Sequence, residues 1–304
     1  MLEEGSSRNF SFKLADGISW QFFATPETES IVAHMNQVMW PTQRPLTGSN
    51  KLYFFTGDLN DNSLPDIAFT DSPESFSLPE NGWSVTRLKH VHIWRHEHFP
   101  DIICKVDKTK GKTLDIRRIY QSLYPAYQGI ILSGGSPLHA ALIEYNGNGV
   151  LIAGTSGTGK STCCRRIKAP WRAVCDDETL VVRTGNSYRV HPFPTWNDYI
   201  ARHSKKTYNV QQHLPLSAIF FLRQSMSDKV EIAGKGMAAY SLYRSSLQIY
   251  SRYKPDLSEA EIAIANKQLF ENACKISNEV PSYVLYASLR GRFWDEMEKV
   301  LNTG

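Results

Sequence analysis

The sequence lacks the features that mark secreted and membrane proteins. Its five cysteines (Cys104, Cys163, Cys164, Cys175 and Cys274) are odd in number and form no CxxC pair, so neither a disulfide framework nor a zinc site is expected. A reducing compartment is the natural setting for such thiols. No run of about 18 apolar residues occurs, and the polar, acidic start MLEEGSSRNFSF has no apolar signal-peptide core. We therefore expect a soluble cytoplasmic protein that engages no membrane.

The chain also lacks a strong charge of either sign. Lysine and arginine number 34 against 30 aspartates and glutamates, which leaves a net charge of +4, and the basic residues are dispersed. Such a balance fits an anionic ligand but does not predict nucleic-acid binding. A hydrophobic fraction of 41% with 21% charged residues is typical of a folded globular chain and argues against disorder.

Short apolar runs alternate with polar joints over residues 1–82. ISWQFFA and KLYFF predict strands and Glu29–Met39 predicts a helix, so this part is expected to be α+β and suited to docking a peptide by strand addition. Residues 83–304 continue with strands, a helix over Leu114–Tyr127, a hairpin at AALIEYNGNGVLIAG and long C-terminal helices, one capped by Asp256 or Ser258. The predicted fold class is α/β (mixed α+β), with a mixed sheet flanked by helices.

A glycine-rich phosphate loop follows the apolar strand GVLIA. Gly154 to Ser161 fits the Walker A pattern G-x-x-x-x-G-K-[ST], in which the backbone turns its N–H groups toward phosphate oxygens. The lysine adds a charge on the β- and γ-phosphates, and the serine hydroxyl ligates Mg²⁺. The pattern therefore predicts a nucleotide-binding protein. The predicted loop residues are Gly154, Thr155, Ser156, Gly157, Thr158, Gly159, Lys160, Ser161 and Thr162.

Two adjacent carboxylates and an upstream histidine accompany this loop. Asp176 and Asp177 follow the apolar stretch RAVC, where one carboxylate can hold a metal and the other can accept a proton from an attacking hydroxyl. A surface turn is the alternative interpretation of the pair. His139 starts the strand HAALIEY, the first strand of the predicted hairpin, and spacing alone favours a packed or capping histidine over a catalytic one.

Together, the histidine, the hairpin, the phosphate loop and the aspartate pair resemble the catalytic domain of the HPr kinase/phosphorylase family. The resemblance runs from His139 to Asp177 and implies a fold like that of phosphoenolpyruvate carboxykinase, with a mixed sheet. It also implies ATP and Mg²⁺ as donor and metal, and a homo-oligomer. The glycine-rich signature that follows the aspartates in true HPr kinases is absent here, and VHPFPTWNDY stands in its place. This departure argues against HPr as the substrate.

A closer resemblance is to the SynChlorMet cassette protein ScmC family, HPr-kinase-like proteins encoded beside peptide-modifying radical enzymes. It rests on the combination of CCRR, CDDE and HPFPTW with the closing RGRFWDEMEKVL. The resemblance implies a precursor peptide as substrate and the other enzymes of a ribosomal-peptide modification pathway as partners. Carried over by position, it makes Asp176 the acid/base and Asp177, with Ser161, the metal-linked group. Lys160 would hold phosphates and His139 would lie by the transferred phosphoryl, while the assignment between the two aspartates stays open.

Four further residues are weaker candidates for the substrate side of the site. His191 and Trp196 stand in HPFPTW, which either staples a loop to the core or stacks on a ligand; Arg290 and Arg292 are either surface arginines or groups that reach the triphosphate. We expect the thiols of the CCRR segment to pack, although a helix start can lower a thiol pKa. Tyr240, Tyr243, Tyr250 and Tyr253 recur at roughly helical spacing, which also predicts packing.

Three functions are compatible with these patterns. The leading hypothesis is an ATP- and Mg²⁺-dependent kinase that phosphorylates a hydroxyl, of serine or threonine type, on a ribosomally made peptide or protein. A small-molecule kinase would use the same site. A nucleotide-gated adaptor without catalysis is the third alternative, although it would have no need of Lys160, Ser161 and both aspartates together.

Overall fold

The computed structural model describes residues 9–40, 50–61, 63–64, 79, 81–109 and 111–302. The described residues group into two compact units. The first takes those within 1–13, 18–124 and 196–206, and the second those within 14–17, 125–195 and 207–304. The predicted division between residues 82 and 83 concerns sequence modules and stays a prediction. By contact, residues 83–124 belong with the first unit.

The first unit contains a six-stranded sheet and three helices. Its strands run β1-β2-β3-β6-β5-β4 across the sheet, with β2, β3 and β6 parallel and the other pairs antiparallel. The first helix buries Ile31, Val32, Met35, Val38 and Met39, an apolar face at helical spacing. The elements are β1 Asn9–Lys13, β2 Ser19–Ala24, α1 Glu29–Met39, β3 Asn50–Thr56, β4 Trp83–Arg87, β5 Val91–His96, β6 Phe99–Val106, α2 Lys112–Ser122 and α5 Trp196–Arg202.

The second unit contains a nine-stranded mixed sheet with helices. Its strands run β10-β8-β9-β13-β12-β11-β7, and two further strands, β15 and β14, continue from β13. The elements are α3 Tyr124–Leu132, β7 Ser136–Leu138, β8 Ala140–Tyr145, β9 Asn148–Ala153, α4 Lys160–Arg166, β10 Arg172–Cys175, β11 Glu178–Thr184, β12 Ser187–Phe193, β13 Leu214–Gln224, β14 Lys229–Ile232, α6 Lys235–Tyr250, α7 Glu259–Glu279, β15 Ser282–Ala287 and α8 Phe293–Leu301.

The strand that leads into the phosphate loop lies in the middle of this second sheet. β9 pairs antiparallel with β8 and parallel with β13, so the sheet is mixed at this point. The β8–β9 hairpin turns at Asn146 and Gly147, whose φ values of 50° and 78° are the left-handed ones that a tight two-residue hairpin needs. The predicted hairpin and the predicted mixed α/β architecture are confirmed. Buried apolar side chains of the three strands β8, β9 and β13 pack in the core of this unit, among them Ile143, Val150, Ile152, Phe220 and Leu222.

Three local predictions can be compared with the structure. The helix Glu29–Met39 is confirmed, and so is the cap at Ser258, whose hydroxyl accepts from the N–H of Glu261 in a capping box. The single helix predicted over Leu114–Tyr127 is wrong, because the chain forms α2 and then α3. Pro125, with no N–H to donate, lies in the first turn of α3, where it is tolerated, rather than inside one helix. Among the described residues, no helix is both long and apolar enough to cross a bilayer.

Candidate active site

The phosphate loop, residues 154–159, connects β9 to α4. Gly157 and Gly159 have φ values of 82° and 103°, in the left-handed region that favours glycine. Gly154 is required for a different reason, since a Cβ atom there would lie 2.7 Å from Oγ1 of Thr158. That hydroxyl donates to the carbonyl oxygen of Thr155 at 2.8 Å, and Nε2 of Gln224 donates to the carbonyl oxygen of Gly157 at 3.3 Å. The loop is therefore held in one conformation from within and from β13.

Lys160 begins α4 and places its ammonium group beneath the loop. Its Nζ donates to the carbonyl oxygens of Gly154 at 2.9 Å and Thr155 at 3.3 Å, and lies 2.9 Å from Nε2 of His139. Only 5% of the residue is exposed. Burial lowers the pKa of Lys160, and the negative charge of Asp177 opposes that shift. The lysine is thus a desolvated cation with fixed hydrogen bonds.

His139, between β7 and β8, links this lysine to the aspartate turn. Its Nδ1 lies 3.1 Å from Oδ1 of Asp177 while Nε2 faces Lys160. Because an ammonium group can only donate, the network assigns a neutral imidazole with the proton on Nδ1, donated to Asp177. The main chain of His139 is also fixed, since the hydroxyl of Ser245 on α6 donates to its carbonyl oxygen at 3.2 Å. The predicted histidine, lysine and aspartate are therefore brought together.

The aspartate pair occupies the turn between β10 and β11. β10 carries a register shift between Ala173 and Cys175 against β8, an irregularity that re-aims the residues that follow it. Burial raises the pKa of Asp177, but the hydrogen bond from His139, the nearby Thr195 hydroxyl and the charge of Lys160 outweigh it, so the pKa is lowered overall. Asp177 is the aspartate within the histidine–lysine network, and Asp176 lies half-buried on the same turn.

Glu178 is a buried charge that sequence reasoning missed. It starts β11, is fully buried, accepts a hydrogen bond from the hydroxyl of Tyr127 on α3, and pairs with Arg252, at 2.9 Å, just after α6. Burial raises the pKa of this carboxyl, and Arg252 opposes the shift. The pair ties the aspartate turn to two helices. The run Asp-Asp-Glu marks a cluster of three carboxylates in the sequence, but only the fold shows that the third of them is buried and not on the surface.

A large cavity opens between the loop and α6; we call it the α6 cavity. Its volume is about 740 Å³. It is bounded by the loop residues 154–158, the end of β13 at 221–224 and one face of α6. Sequence reasoning also missed this face, whose members recur at intervals of three and four residues and could have been found by that spacing. The helical lining is Met237, Tyr240, Ser241, Arg244, Ser245 and Gln248.

A second cavity, of about 490 Å³, lies against α4 and two turns; we call it the turn cavity. Thr158, Thr162 and Arg166 form one wall, and the turns that follow β13 and β15 form the others. Met226 and Leu289 stand at its edge with 98% and 76% of their surfaces exposed. The two cavities share Thr158, Leu222 and Gln224, so they flank the same phosphate loop.

The two candidates from the HPFPTW segment, His191 and Trp196, are both buried. His191 is fully buried in the second unit: its Nδ1–H donates to the carbonyl oxygen of Val210 at 2.8 Å and its Nε2 accepts from the N–H of Ala15 at 3.1 Å. Both ring nitrogens are therefore bound by backbone. Trp196, in the first unit, is 1% exposed and packs its ring near that of Tyr199. The stapling interpretation of the segment is the one that these contacts favour.

The two C-terminal arginines lie in and beside an exposed turn. Arg292 is exposed and pairs with Asp295 at 3.0 Å, and Arg290 is exposed as well. The arginine that does contact this turn is Arg166, which donates to the carbonyl oxygen of Ser288 at 2.8 Å and also to that of Gly291. The structure thus gives no support to a triphosphate contact by Arg292.

The thiols and tyrosines follow the packing prediction with one exception. Cys163 and Cys164 are buried, and burial raises the pKa of Cys163 to about 11, so the helix start does not activate it. Tyr250 and Tyr253 are buried. Tyr240 is 59% exposed and lines the α6 cavity, so the prediction of packing is wrong for this residue.

The donor set fits Mg²⁺ in one particular way. No group of three histidines, cysteines or acids that could hold a metal occurs within the described part of the chain. Mg²⁺ in phosphate-transfer sites is held by one or two protein oxygens, substrate phosphates and water, so such a group is not required. Asp177, whose pKa is lowered, offers an ionised oxygen ligand, and Ser161 offers a half-buried hydroxyl next to Lys160.

The comparisons with known proteins give one family. A family model described as SynChlorMet cassette protein ScmC matches residues 102–302, about two thirds of the 304-residue chain. A search of the curated proteins finds no match. The matched region includes His139, the phosphate loop, the aspartate turn and α6. The chain therefore belongs to the SynChlorMet cassette protein ScmC family.

Proposed function

We propose that the chain is a Mg²⁺-dependent kinase that transfers the γ-phosphoryl group of ATP to a serine- or threonine-type hydroxyl of a ribosomally made peptide or protein. The observation that carries the proposal is the hydrogen-bonded series Lys160–His139–Asp177 beneath a glycine loop of Walker A pattern. A loop that only binds an anion does not need a buried lysine joined through a histidine to an ionised carboxylate.

The roles follow from the charge and position of each group. The loop N–H groups and Lys160 bind the phosphates and neutralise the charge that spreads over them during transfer. Ser161 and Asp177 would hold Mg²⁺, and a carboxyl with a lowered pKa suits that role better than proton acceptance. When bound, the metal withdraws charge from the phosphate oxygens. His139 is neutral and is hydrogen-bonded through both ring nitrogens, so it fixes the position of Lys160 relative to Asp177.

Asp176 is left as the group that accepts the proton. The acceptor oxygen attacks the γ-phosphorus while the bond from that phosphorus to the β–γ bridging oxygen breaks, and ADP leaves. The hydroxyl proton passes to the Asp176 carboxylate and from there to solvent. Because phosphoryl transfer passes through a loose transition state, positioning of the hydroxyl contributes more than the strength of the base.

The fold of the second unit is proposed to be that of the HPr kinase and phosphoenolpyruvate carboxykinase type. The support is the antiparallel hairpin β8–β9 directly before the loop, and the β9 strand between an antiparallel and a parallel neighbour. The peptide nature of the acceptor, the partnership with other peptide-modifying enzymes and a homo-oligomeric state rest on the family resemblance.

The test is a phosphorylation assay. The purified protein is incubated with Mg²⁺-ATP and the precursor peptide encoded beside its gene, and a gain of about 80 Da is sought by mass spectrometry. The expected result is a single gain that Lys160→Ala abolishes, with the acceptor located by fragmentation. No gain, with ATP bound and the peptide bound only in its presence, would replace the kinase by the nucleotide-gated adaptor. Stabilisation by a metabolite but not by the peptide would point to the small-molecule kinase.

A further inference from the structure

The two cavities beside the phosphate loop differ in how their lining residues are connected to Lys160 and His139. The α6 cavity is lined by Gly154 and Thr155, whose carbonyl oxygens accept from Lys160, and by Ser245, whose hydroxyl donates to the carbonyl oxygen of His139. The turn cavity shares Thr158 with the α6 cavity, and on α4 it is lined by Thr162 and Arg166, which follow Lys160 in the chain. Since the lysine of such a loop reaches the β- and γ-phosphates, the α6 cavity adjoins the γ end of a bound triphosphate.

The α6 cavity carries a cation that the fold does not use. Arg244 lies exposed on the cavity face of α6, and among the described residues no hydrogen bond or ion pair engages its guanidinium. Arg223, at the end of β13, borders the same cavity and acts electrostatically on Glu231. Tyr240, one helical turn before Arg244, and Met237, two turns before it, add apolar surface. A volume of about 740 Å³ exceeds what one phosphoryl group needs and fits a peptide segment.

The turn cavity is bounded by two turns that hydrogen bonds hold together. Oδ1 of Asp228 accepts from the N–H of Ser288 at 2.6 Å, which holds the turn bearing Met226 against the turn bearing Leu289. Gly291 permits this approach, because a Cβ atom there would lie 1.9 Å from Oδ2 of Asp228. Arg166 fastens the second turn to α4. Two exposed apolar side chains are thereby kept at the edge of one cavity, where they can pack against a flat ring.

We propose that the two cavities take the two substrates separately: the turn cavity binds the nucleoside of ATP between Met226 and Leu289, and the α6 cavity binds the acceptor peptide through a carboxylate that pairs with Arg244. This inference rests on the proposed kinase function and adds the acceptor class, a hydroxyl-bearing peptide with a carboxylate close to that hydroxyl. The carboxylate belongs either to an acidic side chain or to the C-terminus of the peptide. An arginine–carboxylate pair is bidentate and so fixes orientation as well as charge.

The nucleoside half is tested with ligands that contain or lack a nucleoside. The affinities of Mg²⁺-bound AMP-PNP and of inorganic tripolyphosphate are measured for the wild type, Met226→Ser/Leu289→Ser and Arg244→Gln. We expect the double variant to weaken AMP-PNP about tenfold, by loss of two apolar contacts, and to leave tripolyphosphate unchanged. Arg244→Gln should leave both affinities unchanged. The opposite pattern, in which Arg244→Gln weakens AMP-PNP and the double variant does not, would overturn the assignment.

The acceptor half is tested with paired synthetic serine peptides. One pair has glutamate or glutamine beside the serine, and a second has a free or an amidated C-terminus, so the two sources of the carboxylate are separated. We expect the wild type to favour one acidic member about tenfold in kcat/KM, and Arg244→Gln to abolish the preference. Arg202→Gln, which removes an exposed arginine of the first unit, is the control. An equal loss of kcat for every peptide would instead place Arg244 on the γ-phosphate.

The same peptides distinguish this inference from the kinase proposal. Binding of fluorescein-labelled peptides in the presence of Mg²⁺-bound AMP-PNP is measured by anisotropy, with no transfer required. Loss of the acid preference in Arg244→Gln without any phosphorylation by the wild type would refute the kinase and retain the binding site. Phosphorylation without a preference for either carboxylate would refute the carboxylate site and retain the kinase.

Discussion

Nδ1 of His139 lies 3.1 Å from Oδ1 of Asp177, and this contact connects the aspartate turn to the phosphate loop. The other ring nitrogen faces Nζ of Lys160 at 2.9 Å. A residue between two strands, a residue that begins a helix and a residue that ends a turn therefore share one network of hydrogen bonds. Its geometry underlies each prediction about transfer below.

The two hydrogen bonds of the His139 side chain can be removed one at a time by substitution. His139→Asn keeps an N–H near the position of Nδ1 and loses the contact to Lys160, whereas His139→Gln places its amide closer to the lysine and loses the contact to Asp177. We expect each to lower the single-turnover transfer rate about 10- to 100-fold, as losses of orienting partners do. Rapid-quench assays at saturating ATP measure this. A variant His139→Ala with the wild-type rate would remove the histidine from the mechanism.

Lys160→Met should lower the transfer rate about 100-fold or more, because the charge that neutralises the phosphates is lost. Methionine keeps most of the buried stem, so a circular-dichroism melt is expected to show an intact fold. Arg165→Met, one helical turn from the loop and exposed, is the matched control for loss of a cation from α4. Equal effects of the two changes would mean that only overall charge matters.

Substitutions of the two aspartates should have different effects on the affinity for Mg²⁺-ATP. Asp176→Asn is expected to retain the affinity for Mg²⁺-ATP and to lose transfer, because it removes the proton acceptor alone. Asp177→Asn is expected to weaken binding of Mg²⁺-ATP while binding of ATP in EDTA changes little. Calorimetry with and without the metal checks both. If Asp176→Asn transfers at the normal rate, the proton acceptor is a different group.

His191 should make the free energy of unfolding depend on pH. Burial, with His213 nearby, lowers the pKa of His191 to about 4 against the donation to Val210, while the unfolded histidine keeps its ordinary value of 6.5. The folded state thus disfavours protonation, so this stability is fully present above pH 6.5 and is lost as the pH falls to about 4. The loss amounts to about 3 kcal/mol.

Urea unfolding at a series of pH values checks this. His191→Gln, whose amide can both donate and accept, should flatten the slope between pH 6.5 and 4. His213→Gln removes an exposed histidine whose ring centroid lies 5.2 Å from that of His191, and it should reduce the slope only slightly, because burial lowers this pKa more than His213 does. An unchanged slope in His191→Gln would assign the dependence to other groups.

Removal of only one member of the Glu178–Arg252 ion pair should lower the free energy of unfolding. Arg252→Met leaves a buried carboxylate without its cation and is expected to destabilise the protein by about 3 kcal/mol. Glu178→Gln/Arg252→Met should recover part of that loss, since no charge stays buried. Chemical denaturation of both variants and of Glu178→Gln completes the cycle. A double variant less stable than Arg252→Met would show that the glutamate is stabilising without the arginine.

Local sequence determined the elements and the loop. Glu29–Met39, the β8–β9 hairpin and the Ser258 cap follow from periodicity, from Asn-Gly turn chemistry and from side-chain capping, all of which act between residues close in the chain. The phosphate loop is legible for the same reason, since its glycines and lysine are contiguous. Sequence spacing alone did not favour a catalytic role for His139, although the resemblance did.

Tertiary structure decided everything that depends on pairing between distant segments. The choice of Asp177 for the histidine network follows from the register of β10 on β8, and the burial of His191 follows from backbone groups of Ala15 and Val210. Glu178 and Arg252, separated by 74 residues, meet only once the helices have packed on the sheet. Residue type and spacing specify what a side chain can do, whereas burial and hydrogen-bond partners, which the fold supplies, decide which of those chemistries it performs.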